Sequence, residues 1–237
     1  MKKQIIIFVL FINTVSVSAC SCSPIKAVNA FSFFEFIGIV EFESVQKIEN
    51  SNGYYESKYK ISKVYKGKGK PEIYINSQEG SSCSFIPGRN TKYLILGERI
   101  NGKIEISFCS AMQVPDKNKL AILDNLVSLD LPNKTSFKLF QTFNEDINPS
   151  LFSKSVNGTF IYEVVLNSKL NIEKLSPLND NAKNSFNEKV RTELLRKIRF
   201  KRISEYKKEN NSKLTSYIIL NWTTNYENEK VFGATRL

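Results

Sequence analysis

The chain has 237 residues, with 34 basic and 23 acidic side chains, a net charge of +11 and no histidine. Without histidine it has no Ser-His-Asp or Cys-His nucleophile, no His-ligated zinc or haem, and lacks the commonest general base near neutral pH. An apolar fraction of 41%, with 12% aromatics, belongs to a folded chain, and the composition reads as a binding protein with no cofactor rather than an enzyme.

Met1-Lys2-Lys3 is a short cationic start, residues 5–12 are apolar, and Val17-Ser18-Ala19 end the segment in small residues. This three-part pattern is that of a secretory signal peptide over 1–19, too short in its apolar run to span a membrane comfortably. The mature chain is expected to begin at Cys20, in a secreted or periplasmic setting where disulfides persist. Val17-Ser18-Ala19-Cys20 also fits a bacterial lipoprotein signal, in which Cys20 would be acylated and anchor the protein in the envelope. Four cysteines at or after the cleavage point close two disulfides, whereas lipidation leaves an odd three. Simple cleavage is the preferred reading.

All four cysteines lie at positions 20–109, and none in the remainder. That asymmetry predicts a stapled domain over 20–130, a linker over 131–149 and an unstapled domain over 150–237. The first domain reads as strands. Residues 34–43 alternate loosely, 55–65 alternate more clearly, and 72–76 and 92–97 are shorter. Asn101-Gly102 between 94–100 and 104–108 predicts a hairpin, because both turn positions favour positive φ. Residues 117–128 carry Leu120, Ile122, Leu123, Leu126 and Val127 at the spacing of a helix packed on one face. The expected architecture is a small β-barrel with a helix, in a mainly β chain. The second domain is expected to be α+β in the order β-β-α-β: strands 159–166 and 170–175, a helix, and a strand 216–222. Ser185 with Glu188 three residues on reads as a capping box. Phe186, Val190, Leu194 and Ile198 then form one apolar stripe.

Cys20-Ser21-Cys22-Ser23-Pro24 opens the mature chain. Cys83 and Cys109 are the expected partners of its two cysteines, closing loops that each stabilise by about 4 kcal/mol on chain-entropy arithmetic. Read from the residues alone, two disulfides that simply tie down a terminal strand explain this spacing. The chain also resembles a known family, the tissue inhibitors of metalloproteinases, in their netrin-like domain with an OB-type barrel. The resemblance spans 20–130 and is carried by the Cys-x-Cys start, Tyr59-Lys60-Ile61-Ser62-Lys63-Val64-Tyr65-Lys66-Gly67, Gly80-Ser81-Ser82-Cys83, Tyr93-Leu94-Ile95-Leu96-Gly97, and Asn101-Gly102-Lys103-Ile104 through Cys109. It implies the pairing Cys20–Cys83 and Cys22–Cys109. It also implies inhibition of a zinc metalloprotease, whose zinc is chelated by the free amine and carbonyl oxygen of Cys20 while Ser21 points into the specificity pocket. Cys22, Ser23, Pro24, Ser81, Ser82 and Ser84 flank this contact. The zinc is the partner's, which suits a chain without histidine. The family's additional disulfide in this domain, and its disulfide-rich C-terminal region, have no counterpart here.

Residues 131–237 carry 18 basic and 11 acidic side chains, and the segment 189–208 alone has nine and two. Arg191, Lys197, Arg199, Lys201 and Arg202 are candidates for a basic strip that would meet an anionic surface or polysaccharide. Nucleic acid is not expected as a partner after a secretion signal, and a solvated helix face explains the same run. Residues 150–225 faintly resemble the C-terminal module of TonB-type energy transducers, with no functional residue carried over. The functional expectation is therefore a secreted metalloprotease inhibitor acting through Cys20, with a non-inhibitory envelope scaffold or lipoprotein as the alternative.

Overall fold

The computed structural model describes residues 20–23, 25–115, 117–130, 139–143, 145–152, 158–202, 214–224 and 230–235. The expected signal segment, 1–19, and Pro24 lie outside the described residues. A short helix, α1 (Ala27–Phe33), precedes β1 (Phe36–Lys47), β2 (Tyr54–Lys66), β3 (Ile73–Asn76), β4 (Thr91–Ile100), β5 (Lys103–Ile106) and β6 (Ala111–Gln113). Pairing runs β1-β2-β3-β5-β4, and β4 returns to β1, which closes a five-stranded barrel with β6 added at β4. All these pairings are antiparallel except β3 with β5.

The loose alternation of β1 has a physical cause. Phe36, Val40 and Phe42 point into the barrel with Ile73, Ile75, Ile95 and Ile104, while Ile37 and Ile39 point outward yet are buried beneath α1. A strand buried on both faces shows no polar beat. β4 behaves likewise, with Ile95 inside and Leu94 and Leu96 outside. At Gly97 a Cβ would stand 2.2 Å from the Ile104 side chain, so only glycine lets β4 cross there. The hairpin forms as its sequence requires, with φ of 49° at Asn101 and 83° at Gly102.

Helix α2 (Lys117–Ser128) follows. The remainder contains β7 (Leu139–Phe143), β8 (Thr159–Leu166), β9 (Ile172–Pro177), α3 (Asp180–Ser185), α4 (Glu188–Lys197), β10 (Ile198–Arg202), β11 (Leu214–Thr224) and β12 (Lys230–Ala234). One antiparallel sheet has the order β12-β11-β8-β9, and β7 pairs separately with β10. One face of the sheet packs Phe160, Tyr162, Val164, Ile218 and Leu220 against Val190 and Leu194 of α4. Phe152 stacks on Phe232 with centroids 4.2 Å apart, and Phe160 meets both rings edge-on.

Three expectations are corrected. The expected linker is partly strand, because Leu139 and Gln141 bury themselves beside Ile198 and Phe200 across the β7–β10 ladder. The N-cap of α4 is Asn187, not Ser185: the Asn187 side chain accepts from the N–H groups of Lys189 and Val190, while Ser185 ends α3. The β-β-α-β order is also incomplete. The strand after the helix leaves the main sheet for β7, and β12 closes the far edge. The apolar stripe itself stands, with Val190, Leu194 and Ile198 buried and Phe186 half-buried.

The two halves also share a core. Ile161, Tyr217 and Ile219, on the other face of the second sheet, cluster with Ala27, Ala30, Phe31, Leu94, Leu123 and Leu126. Helix α1 is the keystone of that seam. The Ala27 N–H donates to Thr235 O at 2.8 Å, the Gln141 N–H donates to buried Asn29 Oδ1 at 3.0 Å, and Lys26 Nζ donates to Gln141 O at 2.9 Å. Burial, then the charges of Glu163 and Asp130, push the Tyr217 hydroxyl up to about 12.

Candidate functional site at the stapled N-terminus

Two disulfides, Cys20–Cys83 and Cys22–Cys109, hold the first described residues against the barrel, with Cα–Cα distances of 5.0 and 5.3 Å. Ser21, Cys22 and Ser23 are exposed and Cys20 is half-buried. The staple therefore fixes a stretch of backbone that makes almost no core of its own. Ile25 then turns the chain inward to the shared cluster.

Each anchor is itself built locally. Cys109 sits in a 3-10 turn, Phe108–Ser110, closed by reciprocal bonds between Ser107 and Ser110; the Ser107 N–H donates to Ser110 Oγ at 2.7 Å. Cys83 rides on the loop after β3. There Ser77 is fully buried, its N–H donating to Gly53 O and its carbonyl accepting from the Phe85 N–H. Gln78 and Gly80 adopt positive φ. Ser81 Oγ donates to Gln78 O at 2.7 Å and accepts from the Cys83 N–H at 3.1 Å. The hydroxyls of Ser77 and Ser84 share a hydrogen bond. Ser81, Ser82 and Ser84 are exposed beside half-buried Cys83. Glu79 ties the loop to β1 and β2, accepting from Lys47 Nζ at 2.6 Å and from the Tyr55 hydroxyl. The bonded Lys47, then Tyr55, hold the Glu79 carboxyl below its usual range.

An apolar rim lies between the two anchors. Phe85 packs edge-on against Tyr93 and against Phe108, at 5.8 and 6.4 Å. Phe108 is 38% exposed and Ile86 is 52% exposed, large apolar side chains left in water beside an exposed terminus. Sequence reading missed Glu79, Phe108 and Ile86. Glu79 meets Lys47 and Tyr55 only through the β1–β2–β3 register, which no local pattern reports. An Ile-Pro pair in a loop whose own cysteine anchors it was the one available hint for Ile86.

The basic residues do not form one strip. Lys197 is buried, and this corrects its place in an exposed patch: its ammonium pairs with Glu193 at 2.9 Å and donates to Asp146 O. Burial by itself raises the Glu193 carboxyl, but the bonds from Lys197, the Asn148 N–H and Arg196 outweigh it and leave the group lowered. Arg199 donates to Leu195 O and Ile198 O, both at 2.8 Å, satisfying the carboxyl end of α4. Arg191 pairs with Glu188 on the exposed face at 3.0 Å, and Lys201 is exposed. The Arg202 side chain lies outside the described residues.

A cavity of about 290 Å³ opens between α2 and the second sheet, lined by Asn125, Ser128, Leu129, Ile161, Asn179 and Asn181 among others. Its central amide is already engaged, since Asn179 Oδ1 accepts from Ile161 and Ala182 and its Nδ2 donates to Thr159 O. Among the described residues no group of three His, Cys, Asp or Glu could hold a metal, and no helix is long and apolar enough to cross a membrane. No protein-family model matches the chain, and comparison with curated proteins finds no match.

Proposed function

We propose that the protein is a secreted inhibitor of zinc metalloproteases, acting through the free amine and carbonyl oxygen of Cys20 from an OB-type barrel like the netrin-like domain of the tissue inhibitors of metalloproteinases. The observation that carries this reading is the double staple: two covalent ties on alternate residues hold the 20–23 backbone exposed at the end of a closed barrel. The strand order β1-β2-β3-β5-β4-β1 supports the OB assignment. Engagement of Cys20 Sγ in a disulfide supports a terminus without a thioether lipid.

The chemistry follows from elementary coordination. A catalytic zinc keeps one position open for water or substrate. An amine and its own residue's carbonyl oxygen close a five-membered chelate at that position. An α-amine titrates near about 7.7–8, so freeing its lone pair at neutral pH costs little. The disulfides freeze the terminus beforehand, so little conformational entropy remains to be lost on binding. Ser21 supplies a small polar probe for the specificity pocket. Ser23, with Ser81, Ser82 and Ser84, lines the flanks, and Ile86 and Phe108 offer apolar contact.

The test is inhibition of a panel of purified zinc metalloproteases by protein beginning at unmodified Cys20. Inhibition should vanish when the amine is acetylated or one alanine is added before Cys20, with both disulfides intact, and should tighten as pH rises toward 8. Equal inhibition by the acetylated form would refute chelation, and no inhibition anywhere in the panel would refute the inhibitor reading.

A further inference from the structure

The barrel carries a second preorganised surface, remote in character from the stapled terminus. On the outer side of β2, β3 and β5 the register sets Tyr54 opposite Asn76, Glu56 opposite Tyr74, and Tyr74 opposite Glu105. The intervening residues Ile73, Ile75, Ile104 and Ile106 fill the barrel, so these side chains share the opposite, outward face. They are half-buried or exposed and held in place by each other. Asn76 Nδ2 donates to Tyr54 Oη at 3.2 Å and to Glu105 Oε1 at 3.0 Å. Lys103 Nζ donates to Tyr74 Oη at 2.5 Å and stands 3.9 Å from that ring's centroid, over its hydroxyl edge. Glu98 joins across β4, opposite Glu105, and Lys58 and Glu72 extend the face with one charge of each sign.

The balance of charge here runs against the rest of the molecule. On a chain with a net +11, this face sets four carboxylates against two ammonium groups. Local carboxylates repel phosphate, sulfate and uronate polymers, and the field of the whole protein repels polycations. A purely apolar ligand would strip water from carboxylates and give them nothing in return. A neutral polyhydroxylated ligand meets every demand. Its hydroxyls donate to Glu56 and Glu105, its oxygens accept from the remaining N–H groups of Lys103, and its C–H faces lie on the tyrosine rings, which are apolar in body and polar at the tip. Asn76, with both Nδ2 hydrogens engaged, holds Tyr54 and Glu105 in place. We propose that this Tyr54–Tyr74–Glu105 face binds a neutral oligosaccharide. The ladder holds its side chains in register beforehand, so their ordering costs little on binding. The proposal is independent of Cys20 and of protease inhibition.

The experiment is an amide chemical-shift titration of the oxidised full chain with cellohexaose, with chitohexaose, and with a heparin hexasaccharide and hexalysine as charged controls. A neutral hexasaccharide is expected to shift amides of 54–58, 73–76 and 103–106. Tyr54→Ala or Tyr74→Ala should weaken it about tenfold while leaving the rest of the spectrum unchanged. Glu105→Gln and Asn76→Ala, which spare both rings, test the polar half should either tyrosine variant fail to fold. Acetylation of the N-terminus should change nothing. The proposal is overturned if neither neutral sugar binds at millimolar concentration, if its binding survives these substitutions, or if only heparin or hexalysine perturbs this face.

Discussion

The two halves of this molecule hold themselves together by different means. The barrel half keeps an exposed terminus in place with disulfides spanning 63 and 87 residues, because Ser21, Cys22 and Ser23 bury too little to hold themselves. The second half has no cysteine and relies on burial: an aromatic cluster of Phe152, Phe160 and Phe232, and an ion pair of Lys197 with Glu193 that pins the 145–148 segment onto α4. Covalent ties appear where a surface segment must be rigid, and packing does the work where the chain can fold over itself.

The largest break should come from the staple. Cys22→Ser with Cys109→Ser should lower the stability of the folded state by about 4 kcal/mol on the entropic model, read by urea titration, with amide exchange accelerated first over 20–26. A stability near that of the parent would mean the terminus is held by packing instead. Next comes Lys197→Met, which removes the nearest counter-charge of buried Glu193, leaves it to Arg196 and the Asn148 N–H, and should cost about 3 kcal/mol in the same titration. The pair has a pH signature too. Because the folded Glu193 carboxyl lies below its ordinary 4.5, its contribution is present above 4.5 and lost as pH falls through the lowered folded value. Melting measured from pH 6 to 3 should show that loss in the parent and a shallower one in Glu193→Gln.

Gly97→Ala should cost about 2 kcal/mol by driving a methyl against Ile104 inside the barrel; a neutral result would show that the closed crossing of β4 and β5 is looser than 2.2 Å implies. The smallest effect, about 1 kcal/mol, is expected for Asn29→Ala, which orphans the Gln141 N–H at the seam. That variant sharpens the comparison most. If the halves share a core, calorimetry should still show one transition, shifted downward, whereas two transitions in the parent would mean that the seam is only contact between independent units.

How much of this was legible beforehand depends on where each signal lives. Helix α2 appears at the residues expected because one-sided packing writes a clean period into the chain. Strand β8 does so because its β-branched and aromatic run, buried on both faces, marks it by composition rather than by period. Helix α1 was missed. It is seven residues long, has no side-chain N-cap bond and is buried nearly all round, so it shows no amphipathic period and exists only because the second sheet and the barrel close over it. Strands β7 and β10 were hidden for a related reason: their pairing joins residues more than fifty apart, and neither alternates clearly alone. At the candidate site the cysteines were legible and the resemblance gave their pairing, whereas Glu79, Ile86 and Phe108 were not, since a loop's companions are chosen by strand register.

By itself, then, the sequence determined what is local or covalent in kind: the absence of histidine chemistry, the positive-φ hairpin at Asn101-Gly102, the cysteine inventory, and the apolar stripe of α4. Tertiary structure alone decided that the barrel closes through β1 and β4, that Lys197 is a buried ion pair rather than a surface charge, and that α1 binds the halves through Asn29 and Thr235. Those outcomes rest on burial and register between residues far apart in the chain. Their free energy exists only once both partners have arrived.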